Sequence, residues 1–83
     1  MDWRERIVCD PKILMGKPSV KGTRISVELI LGWLSAGWST DQLLDAYPRI
    51  TREDILAAIA YAREVVHVGK NYAGTADLTV VGG

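Results

Sequence analysis

Two helix-capping signals lie close together in the second half of the sequence and constrain the fold more than any other feature. Ser39 is followed three residues later by Gln42, which is a capping box, and Thr51 is followed in the same way by Asp54. Each cap oxygen accepts a hydrogen bond from a first-turn N–H, so each signal marks a helix start. Pro48 ends the first helix, because the residue before a proline avoids helical geometry. The pair predicts two adjacent helices of helix-turn-helix size.

A further helix is predicted before this pair, over residues 27–36. Ser26 is a suitable N-cap, and Gly37 is a natural stop because glycine takes a positive φ at little cost. Apolar residues at helical spacing predict its buried stripe. These residues are Ile30, Trp33 and Leu34.

The helix that begins at Thr51 is the longest of the three, and its apolar residues also recur at helical spacing. They predict its buried face. They are Ile55, Leu56, Ile59, Ala62 and Val66. Glu53 and Asp54 are adjacent and therefore point about 100° apart, which excludes a shared acid–base pair. Both are expected to complement the helix dipole.

The first 25 residues predict short strands or extended loops, which are broken at Asp10-Pro11, Gly16-Lys17-Pro18 and Lys21-Gly22. Cys9 lies in a short apolar strand predicted over residues 6–9 and is expected to be a small buried residue. The predicted fold class is mainly α: a three-helix, helix-turn-helix-like (homeodomain-like or winged) domain with a short N-terminal β-hairpin. This domain is expected over residues 1–67, and a Gly-rich tail with one possible strand over residues 68–83.

The composition favours a small cytoplasmic domain. The chain has 83 residues and one cysteine, whereas small secreted domains usually carry several paired cysteines. No apolar run follows the charged N-terminus, and none reaches the ~20 residues of a membrane span, so neither a signal peptide nor a membrane segment is expected. A domain this small is marginally stable, which favours a homodimer or a hetero-oligomer.

Charge is distributed unevenly along a chain whose formal net charge is zero. Residues 1–24 hold six basic and three acidic side chains, and the remainder holds four basic and seven acidic ones. This basic segment either binds a polyanion such as a nucleic acid or forms an ordinary solvated surface, and the sequence leaves both alternatives open. The candidate nucleic-acid-binding residues are Arg4, Arg6, Lys12, Lys17, Lys21, Arg24 and Arg52.

Arg24 and Arg52 differ from the other candidates in their expected roles. Arg24 either anchors the hairpin through backbone carbonyls, which we favour, or contacts phosphate. Arg52 begins the third helix, but that helix is poor in base-reading side chains: two arginines stand against three carboxylates. Base reading by this helix is therefore weakly supported.

No catalytic, metal or cofactor site is expected. Gly16-Lys17-Pro18 and Gly22-Thr23-Arg24 lack the spacing of a phosphate loop. His67 is the only histidine and has no second ligand at metal spacing, and Cys9 has no histidine near it in the sequence. An enzyme is the least expected class.

Several of these motifs, taken in order, resemble a small prokaryotic family known as domain of unknown function 433. The resemblance covers roughly residues 5–66. The motifs are Asp10-Pro11, Gly16-Lys17-Pro18, Gly22-Thr23-Arg24-Ile25, Gly37-Trp38-Ser39, Tyr47-Pro48 and the run that begins at Thr51. The resemblance implies a VapB-like antitoxin whose partner is a toxin with a PIN-like nuclease fold.

Two functions are expected, the first from the resemblance and the second from the helix-turn-helix geometry and the basic first third of the chain. The first is an antitoxin that inhibits a PIN-like ribonuclease, with repression of its own operon left open; the second is a stand-alone DNA-binding regulator that contacts operator DNA. Trp3 is an aromatic residue in a charged segment and a candidate interface anchor. The tail could add a strand to a partner. Its candidate partner-binding residues are Tyr72, Asp77, Leu78 and Val80.

Overall fold

The computed structural model describes residues 2–69. Three helices follow a two-stranded hairpin, so the predicted mainly helical class with an N-terminal hairpin is confirmed. The strands are β1 (Ile7–Val8) and β2 (Ser19–Val20), and the helices are α1 (Val27–Ser35), α2 (Thr40–Ala46) and α3 (Arg52–Gly69). Short 3₁₀ turns cover Trp3–Glu5 and Leu14–Gly16. Thus α3 includes two residues that the sequence assigned to the tail.

The hairpin joins the N-terminus to the start of α1. Its strands are antiparallel, with Ile7 opposite Val20. Ser19 also forms an isolated antiparallel bridge with Ser26, the N-cap of α1. The Val27 N–H donates to the carbonyl of Pro18 at 2.9 Å. These bonds fix where α1 leaves the hairpin.

The loop between the strands contains an unusual turn rather than an extended run. Leu14, Met15 and Gly16 all have positive φ, at 50°, 58° and 87°. The carboxylate of Asp10 accepts from the Lys12 N–H at 2.9 Å, which turns the chain at the start of the loop. The apolar run at residues 13–15 is typical of a strand, but the hydrogen bond from the Lys12 N–H to Asp10 and the positive φ of Gly16 favour a turn instead.

All three predicted helix caps are confirmed. Ser26 accepts from the Leu29 N–H at 2.9 Å, and Ser39 and Gln42 form the complete capping box. At α3 the Thr51 hydroxyl accepts from the Asp54 N–H, while the Asp54 carboxylate accepts from the Thr51 N–H at 2.9 Å. Aspartate, although shorter, thus forms the same reciprocal pair of hydrogen bonds that glutamate or glutamine forms in the usual capping box.

The core lies where α3 crosses α1, the hairpin and the N-terminal turn. Its buried apolar residues are Ile7, Val20, Val27, Ile30, Leu43, Ile50, Ile55, Ala57 and Ala58. Trp33 and Leu34, predicted to be buried, are half-buried and pack against this cluster. Helix α3 contributes two alanines to the core, which allows the facing backbones to approach closely.

The predicted buried face of α3 is wrong in part. Ile55 is buried as expected, but Leu56, Ile59 and Val66 are 52%, 43% and 70% exposed. The buried face follows the small residues and Asp54 instead. Apolar residues lie on most sides of this helix, so their periodicity alone does not identify the side that packs against the core.

Candidate binding surfaces

Four of the seven candidate nucleic-acid-binding side chains form ion pairs within the protein. Arg6 reaches Asp54 at 3.2 Å and Arg52 reaches Asp41 at 2.8 Å. The other two pairs are Lys17 with Glu28, at 3.2 Å, and Arg4 with Asp2, at 3.4 Å. The Arg4 N–H also donates to Asp2 and lowers the pKa of that carboxyl. These pairings reduce the charge that the segment presents to a polyanion.

The remaining candidates, Lys12, Lys21 and Arg24, are exposed and form no ion pair within the described residues. The anchoring role that the sequence favoured for Arg24 belongs to Arg49. The Arg49 guanidinium donates to the carbonyl of Gly22 at 3.1 Å.

The turn at Gly22 therefore carries three exposed cations, which we call the basic turn: Lys21, Arg24 and Arg49. Gly22 has a φ of 81°, a conformation that favours glycine there. Sequence reasoning missed Arg49, since it is 27 residues from Gly22. The sequence did show that Arg49 directly follows Pro48, in the turn before α3, where an arginine side chain is free to reach another loop.

Trp3 does not stand free as an interface anchor. Its ring packs edge-on against Tyr61 of α3, with centroids 4.8 Å apart, and it is half-buried. The Arg4 guanidinium lies 4.6 Å from the Trp3 ring centroid, within range of a cation–π contact. Trp3 thus fastens the N-terminal turn to α3. The other partner-binding candidates, Tyr72, Asp77, Leu78 and Val80, lie outside the described residues.

An aromatic cluster joins α1 to α2. The rings of Trp33 and Trp38 are 4.1 Å apart between centroids, with a tilt of 30°. The Trp33 indole N–H donates to the hydroxyl of Tyr47 at 3.1 Å. Gly37, with a φ of 98°, turns the chain between the two tryptophans. The cluster stabilises the helix junction and is half-buried.

An open apolar groove runs between α1 and the last turns of α3. Its volume is about 330 Å³. Its lining residues are Pro18, Val27, Glu28, Leu31, Tyr61, Ala62, Val65 and Val66. The core continues into this groove, because Val27 is buried while Val65 is exposed farther along α3. Glu28 is the single carboxylate among the lining residues.

Reactive and metal-binding groups are scattered. Cys9 is exposed, so its expected burial is wrong: β1 ends at Val8, and the cysteine begins the loop. Among residues 2–69 no group of three His, Cys, Asp or Glu side chains is placed to hold a metal ion. Within the same residues, no helix is both long enough and apolar enough to cross a membrane.

Comparisons with known proteins connect this fold to one family. The chain is 39% identical over 59 residues to the uncharacterized protein y4eO of Sinorhizobium fredii (strain NBRC 101917 / NGR234). That match covers 71% of this chain but only 27% of the relative, so the chain spans about a quarter of the relative's length.

A solved structure gives a second comparison. The chain superposes on the crystal structure of a DUF433 member protein from Anabaena variabilis ATCC 29413 with a TM-score of 0.71 and 26% identity. The superposition covers 84% of this chain and 69% of that one. The model of the family described as "Protein of unknown function (DUF433)" matches residues 7–62, which include the hairpin, all of α1 and α2, and most of α3. The chain therefore belongs to the DUF433 family.

Proposed function

We propose that this chain is a non-catalytic, antitoxin-like protein that binds and inhibits a ribonuclease toxin with a PIN-like fold. The observation that carries the proposal is the apolar groove between α1 and α3, which no described residue covers. A groove lined by apolar side chains is the kind of surface into which an apolar segment of a partner protein packs. The family resemblance supplies the class of partner.

The chemistry of the groove defines what would bind there. Val27, Leu31 and Val65 offer aliphatic walls, and Tyr61 offers an aromatic one. An apolar segment of the toxin would bury its side chains against them, as when an amphipathic helix lies in a groove. Glu28 in the lining already pairs with Lys17, so the apolar walls supply most of the attraction for a partner.

Co-expression with the PIN-like protein, followed by pull-down and a ribonuclease assay, tests this function. Leu31→Asp places a charge in the groove and is expected to abolish both binding and inhibition. Leu29→Asp is the matched control, because Leu29 lies on the same helix, is 37% exposed and does not line the groove. Equal loss with both variants, or no binding by the wild type, would contradict the proposal.

The residues after α3 are tested separately. The sequence predicts that Leu78 and Val80 contribute to the partner interface, and α3 ends at Gly69, three residues after Val66 of the groove lining. A version that ends at Gly69 is expected to bind the toxin more weakly than the full chain. Equal affinities would exclude a role for the tail and leave the groove as the binding site.

A second candidate function, binding of operator DNA, is favoured by the basic turn. Lys21, Arg24 and Arg49 are exposed around one glycine turn, where they would contact phosphates. The outward face of α3 presents Leu56 and Ile59, which read no hydrogen-bonding edge in the major groove. DNA binding through this surface would therefore depend little on sequence.

A salt series on duplex DNA tests this second function. Three phosphate contacts predict a slope of log K against log salt of about −2.7, and Arg24→Ala is expected to reduce its magnitude by about 0.9. Arg63→Ala, which removes an exposed cation on α3 away from the basic turn, is the control. A slope near zero would exclude the function.

A further inference from the structure

The loop between β1 and β2 holds an apolar side chain in a backbone conformation that is unfavourable for an L-residue. Met15 has a φ of 58° and a ψ of 33°, and Leu14 before it has a φ of 50°. This left-handed region brings Cβ close to the following carbonyl oxygen, so residues other than glycine rarely occupy it. The Met15 side chain is 95% exposed, so packing within the chain does not offset the strain. Strain of this kind is typical of a functional segment.

Hydrogen bonds hold the loop in this conformation. The Gly16 N–H donates to the carbonyl of Ile13 at 3.0 Å, and the Lys17 N–H donates to the carbonyl of Leu14 at 3.1 Å. Met15 therefore lies inside two overlapping turns, and its backbone is fixed before any partner arrives. A fixed backbone loses little conformational freedom when a partner covers it, which favours binding.

The loop ends at the rim of the apolar groove between α1 and α3. Pro18 lines the groove and follows Met15 by three positions, so the Cα atoms of these two residues are at most about 11 Å apart. Lys17, which lies between them, pairs with Glu28 of the groove lining at 3.2 Å. The carbonyl of Pro18 accepts from the N–H of Val27, another lining residue. The loop and the groove therefore adjoin each other.

We propose that Met15 is a second anchor for the partner that occupies the groove, and that it enters an apolar pocket of that partner with a carboxylate at the pocket rim. The inference rests on the proposed function, which makes the PIN-like toxin that partner. Methionine is unbranched and polarisable, and it adapts to an irregular apolar pocket. A partner that lies along the groove and covers Met15 buries more apolar surface than the groove alone offers.

The charges of the loop explain the carboxylate. Lys12 is exposed and forms no ion pair within the described residues, whereas Lys17 is paired with Glu28. The carboxylate of Asp10 accepts the backbone N–H of Lys12 at 2.9 Å and does not pair with its ammonium group. The loop therefore presents a cation without a counter-charge, and a carboxylate on the partner would complement it.

Variants of Met15 in the full chain, titrated with the purified toxin, test the anchor. Met15→Gly relieves the strain and removes the side chain. It is therefore expected to be more stable than the wild type and yet to bind the toxin at least about tenfold more weakly, as for the loss of an interface anchor. Met15→Ala keeps Cβ, and with it the strain, and is expected to lose as much affinity. If both variants bind as tightly as the wild type, Met15 is not an anchor and the inference is overturned.

Two further variants make the result specific. Leu56→Ala is the matched control, because Leu56 is also an exposed apolar residue and does not line the groove. A loss of affinity with Leu56→Ala as large as that with Met15→Gly would overturn the inference. Leu31→Asp tests the groove: if this variant abolishes binding while the Met15 variants bind normally, only the inference fails. A wild type that does not bind the toxin overturns the inference and the proposed function together.

Lys12→Glu tests the carboxylate at the pocket rim. This variant keeps the backbone N–H that donates to Asp10, and it is expected to bind the toxin more weakly than the wild type at low salt. The difference should shrink as salt is added, because exposed charges are screened. Arg63→Glu is the control, since Arg63 is an exposed cation that does not line the groove. Equal affinities of Lys12→Glu and the wild type at low salt would overturn the carboxylate rim.

Discussion

Arg6 and Asp54, which are 48 positions apart in the sequence, form an ion pair of 3.2 Å between the β1 end of the hairpin and the first turn of α3. The Asp54 side chain is only 9% exposed, and its second carboxylate oxygen accepts from the Thr51 N–H. One carboxylate therefore caps the longest helix and attaches the N-terminal segment to it.

Asp54→Ala is expected to lower the free energy of unfolding by about 2 kcal/mol, since it removes the carboxylate half of the reciprocal capping pair and leaves Arg6 without its carboxylate. Urea denaturation measures the loss. Glu53→Ala is the matched control: Glu53 is adjacent, exposed and also in the first turn. Its loss should cost only the dipole interaction, well under 1 kcal/mol. Equal costs would show that Asp54 acts through the dipole alone.

Ala58→Leu is expected to destabilise the protein by about 1–3 kcal/mol, because Ala58 is fully buried and the added methylenes have no space. Thermal unfolding followed by circular dichroism measures the change. Ala60→Leu, half-buried on the same helix, is the comparison and should cost less. A harmless leucine at position 58 would contradict the close packing of α3 against the core.

Met15→Gly is expected to be stabilising by about 1 kcal/mol. Met15 is 95% exposed and has a φ of 58° and a ψ of 33°, so glycine loses almost no packing and relieves the left-handed strain. Met15→Val is the opposite control, since a β-branched residue tolerates this region poorly. If chemical denaturation shows that the Met15→Gly variant is less stable than the Met15→Val variant, the turn has another conformation.

Ser19→Ala is expected to leave stability unchanged or raise it by up to about 1 kcal/mol. Ser19 is fully buried, and its hydroxyl has no hydrogen-bond partner within residues 2–69. Removing a buried polar group that lacks a partner removes its desolvation cost. Differential scanning calorimetry measures the effect. A loss of stability comparable to that of Ser39→Ala, which removes a working cap, would show that the Ser19 hydroxyl is bonded.

The parts of the fold that depend on neighbouring residues were predictable from the sequence. The caps at Ser26, Ser39 and Thr51 act within one helical turn, and the stop at Gly37 depends on its own φ. These local rules established the number of helices and nearly all of their limits.

Interactions between distant residues were not predictable in the same way. The sequence contains several arginines, and their spacing does not reveal that Arg49 reaches Gly22 or that Arg6 reaches Asp54. The face of α3 was misassigned for a related reason. Ile59 is more hydrophobic than Ala58, but the close approach of α3 to the core selects the smaller residue.

The stacked pair of Trp33 and Trp38 makes the junction between α1 and α2 visible to spectroscopy. Indole rings with centroids 4.1 Å apart couple their electronic transitions, which adds an exciton couplet to the far-ultraviolet dichroism of the helices. The couplet reports the distance and tilt of two rings, whereas the helical bands report backbone hydrogen bonds. Helix content and junction geometry can therefore be followed separately, without a label, while this chain unfolds or binds a partner.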